Sequence, residues 1–282
     1  MAIQQTHIYR NFGAYFFLIL VSLFVIFPMV FAVSQSFMTN QDVNNWPPQI
    51  IPDELAVEQS YERVLTQQDL RLDLWLRNSL IAATGYTVAV LVVCSPAAYA
   101  FARLEFPGNN ILFAILLVSI MIPQQVTLIP NYLLMRDFGW LDTFNALIFP
   151  GAANVFGLFL LRQFFMQVPK ELEEAAVLDG ASYWGRFWHV VLPLSRNALM
   201  ALGIFVFLFH YNDLFWPFIV TNTLETRTLP VGLTILNSSY AGQYRPMVLA
   251  GAVLSTIPIL VVYIIFQRQI IKGVAMTGMG GR

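Results

Sequence analysis

An all-α integral membrane fold of six transmembrane helices, with both termini cytoplasmic, is the fold class this sequence predicts, and three observations predict it. The 282 residues are 57% hydrophobic and 15% aromatic but only 11% charged, with mean hydropathy +0.64, too apolar for a soluble globule of this size. Apolar runs long enough to cross ~30 Å of hydrocarbon recur along the chain, separated by polar segments. Lys and Arg are unevenly shared between alternate polar segments. With the amino terminus inside, the inner segments hold nine of them (Arg10, Arg103, Arg162, Lys170, Arg186, Arg196, Arg268, Lys272 and Arg282) against six on the longer outer ones.

Taken in order, residues 1–12 form a polar cytoplasmic tail carrying His7 and Arg10. Residues 13–33 are uncharged and apolar. This run exceeds the ~7–15 residues of a signal-peptide core, which favours a retained first helix over a leader cleaved near Ala32-Val33-Ser34. Residues 34–77 are the longest polar excursion, with seven acidic and three basic residues. Asn44-Asn45-Trp46-Pro47-Pro48 makes its first part a loop, and residues 53–77 are expected to form an external helical cap. The second span covers residues 78–103, with Pro96 as a kink that neighbouring helices tolerate. After a turn at 104–110 comes the third span, 111–129, interrupted near its outer end by Pro123 and Gln124-Gln125. An outer segment, 130–142, leads to the fourth span, 143–161.

Residues 171–193 then break the pattern, with four carboxylates, Arg186 and His189 set between two apolar runs. Pro169 and the acidic Glu171, Glu173 and Glu174 suit a helix start, with Leu172, Ala175 and Ala176 on one face. Gly180 ends this helix. Ser182 caps a second one that runs through Trp184, Phe187 and Trp188 to a stop at Leu192-Pro193. The expected product is a water-exposed helix–glycine–helix elbow with a small-residue face and an acidic rim, shaped to enter a groove on another protein. The fifth span, 197–220, an outer loop, 221–245, and the sixth span, 247–266, complete a membrane domain assigned to 13–268. Residues 269–282 form a basic, glycine-rich cytoplasmic tail.

Glu174-Ala175-Ala176, three residues, Gly180, nine residues and then Val190-x-Leu192-Pro193 resembles the EAA loop of the membrane subunits of bacterial ATP-binding-cassette importers. The likeness covers nearly the whole chain. It includes Asn78-Ser79, Ala97-Ala98-Tyr99-Ala100-Phe101-Ala102-Arg103, Pro123, Ile129-Pro130, Phe159-Leu160-Leu161-Arg162-Gln163-Phe164-Phe165, and Asn212-Asp213 followed by Trp216-Pro217. These resemble carbohydrate-importer permeases of the maltose and glycerol-3-phosphate group, specifically the shorter membrane subunit. Tyr211 stands where the family often has tryptophan, and residues 278–282 lack its frequent closing lysine.

The resemblance implies a multi-pass protein of the bacterial inner membrane whose cytoplasmic loop, 163–196, docks on an ATPase. It implies coupling through Glu174, Ala175, Ala176, Asp179, Gly180, Leu192 and Pro193. It also implies partners: a second, different permease subunit, two ATPase subunits that bind ATP and Mg, and an extracytoplasmic solute-binding protein. No cofactor is expected on this chain. The implied activity is import of a mono- or oligosaccharide, or a related polyol, by alternating access. A glycerol-phosphate importer of the same family is the alternative, and a proton-coupled secondary transporter is the reading from another class.

Polar residues at membrane depth are costly and usually face a pathway or a helix partner. Asn154, Tyr211, Asn212, Asp213 and Trp216 are the candidate path residues, able to offer hydrogen-bond partners and stacking surfaces to a sugar. His210 and Asp213, three apart, would share a helix face and hydrogen-bond, which also suits a proton relay. A structural role, knitting the fifth helix to its neighbours, competes with both. Cys94 is expected to be a buried small hydrophobe. A net charge of -1 gives no footing for nucleic acid, no H-E-x-x-H spacing occurs, and no G-x-x-x-x-G-K-[ST] loop is present for ATP. The chain is therefore not expected to be an enzyme.

Overall fold

The computed structural model describes residues 12–67 and 69–278. The tail with His7 and Arg10, and the end of the tail expected at 269–282, lie outside the described residues. The described chain is helical throughout its ordered elements. In chain order the helices are α1 (Phe12–Gln35), α2 (Asn40–Asn44), α3 (Arg63–Thr66), which continues a π-helical turn at Glu58–Glu62, and α4 (Leu72–Arg103). There follow α5 (Asn109–Ser119), α6 (Gln124–Asp137), α7 (Phe144–Ile148), α8 (Val155–Gln167) and α9 (Lys170–Leu178). The remainder are α10 (Tyr183–Leu194), α11 (Arg196–Tyr211), α12 (Phe215–Val220), α13 (Leu229–Tyr240) and α14 (Arg245–Gly278).

Three of these are long and apolar enough to cross a membrane: Gly13–Gln35, Leu72–Arg103 and Arg245–Gln269. Counting each of two bent pairs, α5 with α6 and α10 with α11, as a span brings the number to five among the described residues, and α8 is a shorter apolar helix. The expected third, fourth and fifth spans are thus each broken. α5 and α6 meet at 95°, because Pro123 is extended (ψ 138°) and biases the residue before it away from helix. α7 and α8 are parted by Pro150-Gly151, with Gly151 at φ +80°, and α8 restarts where the Asn154 side chain caps the Gly157 amide at 2.7 Å. α11 ends at Tyr211, and α12 resumes at Phe215, whose amide bonds Asp213 Oδ1 at 3.0 Å. The external helical cap expected over 53–77 shrinks to the single stretch 58–66, and 72–77 instead form the first turns of α4. Residues 269–278, expected as tail, continue α14.

The chain divides into two compact units. In the first, made of residues 1–72 and 232–257, α3 packs on the carboxy-terminal part. The Arg63 guanidinium lies 3.5 Å over the Tyr244 ring, and Asn40 Nδ2 donates to the Gln243 carbonyl at 2.6 Å. Gly251 packs closely here: a Cβ would stand 2.6 Å from Leu236 Cδ2, so the buried leucine would have to shift. α1 leaves its apolar side chains exposed along its length, as a helix bathed by lipid or a partner helix can.

The second unit, residues 73–231 and 258–282, holds the main core. Val90, Cys94 and Tyr99 of α4 pack with Leu161 and Phe165 of α8, Phe187 and Val191 of α10, and Leu202 of α11. Cys94 is buried, as expected for a small apolar residue. A smaller cluster joins Ala82, Met135, Ala146, Leu147 and Val220.

Candidate functional site

The elbow between α9 and α10 is built by local rules. α9 begins after Pro169, with Glu171 and Glu173 in its first turn, where the helix dipole favours negative charge. It ends in a Schellman motif. The Gly180 amide bonds the Val177 carbonyl at 2.9 Å and the Ala181 amide bonds the Ala176 carbonyl at 2.8 Å, with Gly180 left-handed at φ +84°. Gly180 is therefore a conformational requirement, and Ala176 owes part of its role to its carbonyl. Ser182 Oγ then caps α10 by accepting from the Gly185 amide at 3.2 Å. The helix passes beyond Leu192-Pro193, the expected stop, to Leu194, where the chain bends 76° into α11.

Glu174, Ala175, Asp179 and Gly180 are exposed, Ala176 and Leu192 half-buried, and Pro193 exposed. Around them Leu178 is 88% exposed, and Trp184 and Trp188 are largely so, leaving an open apolar surface with a carboxylate rim. The acidic rim is smaller than the sequence suggests, because Glu173 is buried. Its Oε1 lies 2.9 Å from Arg103 Nε, and Tyr99 Oη donates to its Oε2 at 3.3 Å. Arg103 Nη2 also donates to the Val168 carbonyl. The Arg103 partner was legible only as the basic end of the Ala97–Arg103 motif, since 70 residues of chain separate the pair.

The candidate path residues fall in different places. Asn154 lines a cavity of about 440 Å³ together with Tyr86, Gln124 and the rings of Phe156, Phe164, Phe205 and Phe209; no charged side chain lines it. Asp213 and Trp216 line a neighbouring cavity of about 220 Å³ that shares Tyr86 and Gln124. Tyr211 is buried at 3% exposure and lines neither. Asn212 is exposed and donates to the Leu208 carbonyl at 2.7 Å.

The side chains of His210 and Asp213 do not bond each other, because α11 ends between them, although the Asp213 amide donates to the His210 carbonyl at 3.2 Å. Instead His210 Nε2 donates to the Leu147 carbonyl at 2.8 Å, and Trp216 Nε1 to the Ala146 carbonyl at 2.8 Å. Tyr86 Oη donates to the Gly151 carbonyl at 3.0 Å. These three donors satisfy carbonyls freed where α7 breaks from α8, which is how irregular backbone is tolerated at membrane depth. Tyr86 and the phenylalanines of the larger cavity escape sequence reading, since an aromatic in an apolar run looks like any core residue.

On the side expected to be external, Asp142 (φ +59°) clasps the segment 221–228. Its Oδ1 accepts from the amides of Asn222 at 2.8 Å and Thr223 at 3.1 Å, and from Thr226 Oγ1. Burial alone would raise the Asp142 pKa, but these hydrogen bonds outweigh it and hold it at about 2. Asn78 Nδ2 reaches the carbonyls of Glu225 and Arg227, and Ser79 Oγ accepts from the Leu229 amide, so the loop is pinned from α4 as well.

Residues 94–275 match the family described as "Binding-protein-dependent transport system inner membrane component". The arabinooligosaccharides transport system permease protein AraQ of Halalkalibacterium halodurans is 34% identical over 207 residues, 73% of this chain and 74% of that protein. The trehalose/maltose transport system permease protein MalG of Thermococcus litoralis is 31% identical over 93% of this chain and 94% of its own length. The sn-glycerol-3-phosphate transport system permease protein UgpE of Brucella abortus is 29% identical over 95% and 96%. Among solved structures, a bacterial ABC transporter involved in the import of the acidic polysaccharide alginate superposes with TM-score 0.81 at 26% identity, covering 92% of this chain and 96% of that one.

Proposed function

Because this chain belongs to the family of binding-protein-dependent transport system inner membrane components, of the sugar and glycerol-phosphate importer permeases, we propose that it is the shorter membrane subunit of an ATP-driven importer. It works beside a second, different permease, two ATPase subunits that bind ATP and Mg, and an extracytoplasmic solute-binding protein. Both termini and the elbow face the cytoplasm. The observation that carries this reading is the elbow: two short helices, each locally capped, offering exposed Leu178, Trp184 and Trp188 beside Glu174 and Asp179. Such a surface buries apolar area only when a partner covers it. Closure of the ATPases moves the elbow and turns the cavity at Asn154 and Tyr86 from inward-facing to outward-facing. A shift between the two states from 1:99 to 99:1 takes ~5.5 kcal/mol of differential binding.

The solute is a neutral mono- or oligosaccharide or related polyol. Support comes from the cavity walls: the larger cavity offers an amide pair and aromatic faces without charge, and the smaller carries Asp213 and His210 but neither lysine nor arginine, a poor setting for a phosphate. The clasped segment 221–228 is the surface offered to the binding protein.

Purification of the chain from detergent-solubilised native membranes tests the assembly. The expected eluate contains an ATPase and a second permease and hydrolyses ATP, whereas Glu174→Lys loses most of the ATPase. A chain that elutes alone, without ATP hydrolysis, contradicts the reading.

A further inference from the structure

The two arms of the elbow are held in different ways. α10 is seated by apolar packing, with Phe187 at 2% and Val191 at 0% exposure in the main core. α9 has no such seat: it has nine residues, and Glu173 is its one buried side chain. So short a helix is not stable by itself, and what fixes it is a charged group.

Arg103, at the last position of α4, grips this arm at two points. Its Nε lies 2.9 Å from Glu173 Oε1 on the helix, and its Nη2 bonds the Val168 carbonyl just before the helix starts. Both side chains are nearly closed to solvent, at 6% and 8% exposure, and Tyr99 one turn back along α4 adds a hydrogen bond to the second carboxylate oxygen. The Val168 point is a hydrogen bond, and the Glu173 point is a buried charge pairing at Nε that makes no hydrogen bond, so the hold joins one directional bond to an ionic attraction. Unlike α8 and α11, which run into the elbow through short chain links, α4 reaches it only through side chains. Toward α10 these are apolar, the ring of Tyr99 lying against Phe187 with centroids 5.3 Å apart within the main core, whereas toward α9 they centre on this charged grip.

We infer that Arg103 and Glu173 are positioning residues that lock α9 to the end of α4, so that the long helix follows the elbow when the ATPases move it. The inference rests on the importer reading above. A pair that served stability alone would be dispensable to the motion, because apolar replacements of both partners are often no less stable than a buried ion pair.

The test uses the whole complex purified with its partners, carrying spin labels at Leu178→Cys on α9 and Val92→Cys on α4, both exposed, in a Cys94→Ser background. In the otherwise native chain, the distance between the labels stays single and unchanged between nucleotide-free and ATP-vanadate-trapped states. In Glu173→Gln and in Arg103→Gln it moves with nucleotide by ~2 Å or more, the scale of helix shifts in switching proteins. The joint Arg103→Met, Glu173→Met exchange guards against simple unfolding. It restores the yield of complex lost in either single variant, yet its distance still moves with nucleotide. A distance that already moves in the native pairing, or a double exchange that behaves as the native pairing does, overturns the lock while leaving the importer reading intact. A native complex without ATPase overturns both.

Discussion

At Gly180 the backbone is left-handed and no heavy atom lies within 4 Å of where a Cβ would stand, so a side chain there meets only conformational strain. Gly180→Ala is expected to destabilise the elbow by about 1 kcal/mol and Gly180→Asn by less, since asparagine tolerates this region. Gly180→Pro cannot adopt it and removes the amide that bonds Val177, so uptake should be abolished while the membrane core still folds; thermal unfolding and uptake measured side by side separate these outcomes. Asp142 gives a pH dependence of definite sign. Its folded pKa of about 2 lies below the ordinary 3.8, so the ionised group stabilises the clasp on 221–228 fully above the ordinary value. That contribution is lost as pH falls through about 2. Hydrogen exchange at the Asn222 and Thr223 amides should accelerate in that window in the native chain, and at neutral pH in Asp142→Ala.

At the scale of elements, the breaks explain why polar residues occur in the apolar runs. Trp216→Phe and His210→Phe each leave a carbonyl, of Ala146 or Leu147, without its donor, and each should cost about 1–3 kcal/mol in detergent-solubilised thermal unfolding. The loss should appear whether or not solute is present, in contrast to substitution at Asn154, where a path residue would alter uptake as well. The sequence made α1, the body of α4, the elbow and the start of α14 legible, because each is a long apolar run or a capped amphipathic turn with its own punctuation. Pro123 was visible as an interruption, but a 95° bend was not, since a proline states where a helix stops and not where its continuation points. The gap between α7 and α8 was missed: Pro150-Gly151 lies inside an apolar run whose hydropathy hides the broken backbone. Glu173 was placed on the rim for a similar reason. Helical spacing puts it near Glu174, and only tertiary contact with Arg103 reveals that it faces inward.

For the whole molecule, the class follows from composition and the family from the resemblance of the spaced elbow motif, and residues 94–275 match that family. The candidate path was less legible. Its residues were chosen for being polar, whereas the larger cavity is walled mainly by aromatic rings that no local pattern distinguishes from core. In the reading proposed above, energy from partner ATPases enters this chain at the elbow. Coupling at the elbow is tested most directly in vesicles that hold the purified complex, by following uptake of maltose with the binding protein on one side and ATP on the other. If maltose proves not to be carried, an arabino-oligosaccharide and glycerol 3-phosphate are the next probes. Uptake of one of these that requires ATP, and that disappears in Glu174→Lys while the chain remains folded in the membrane, is the predicted result. Uptake that persists without ATP, or that Glu174→Lys leaves unchanged, would contradict it.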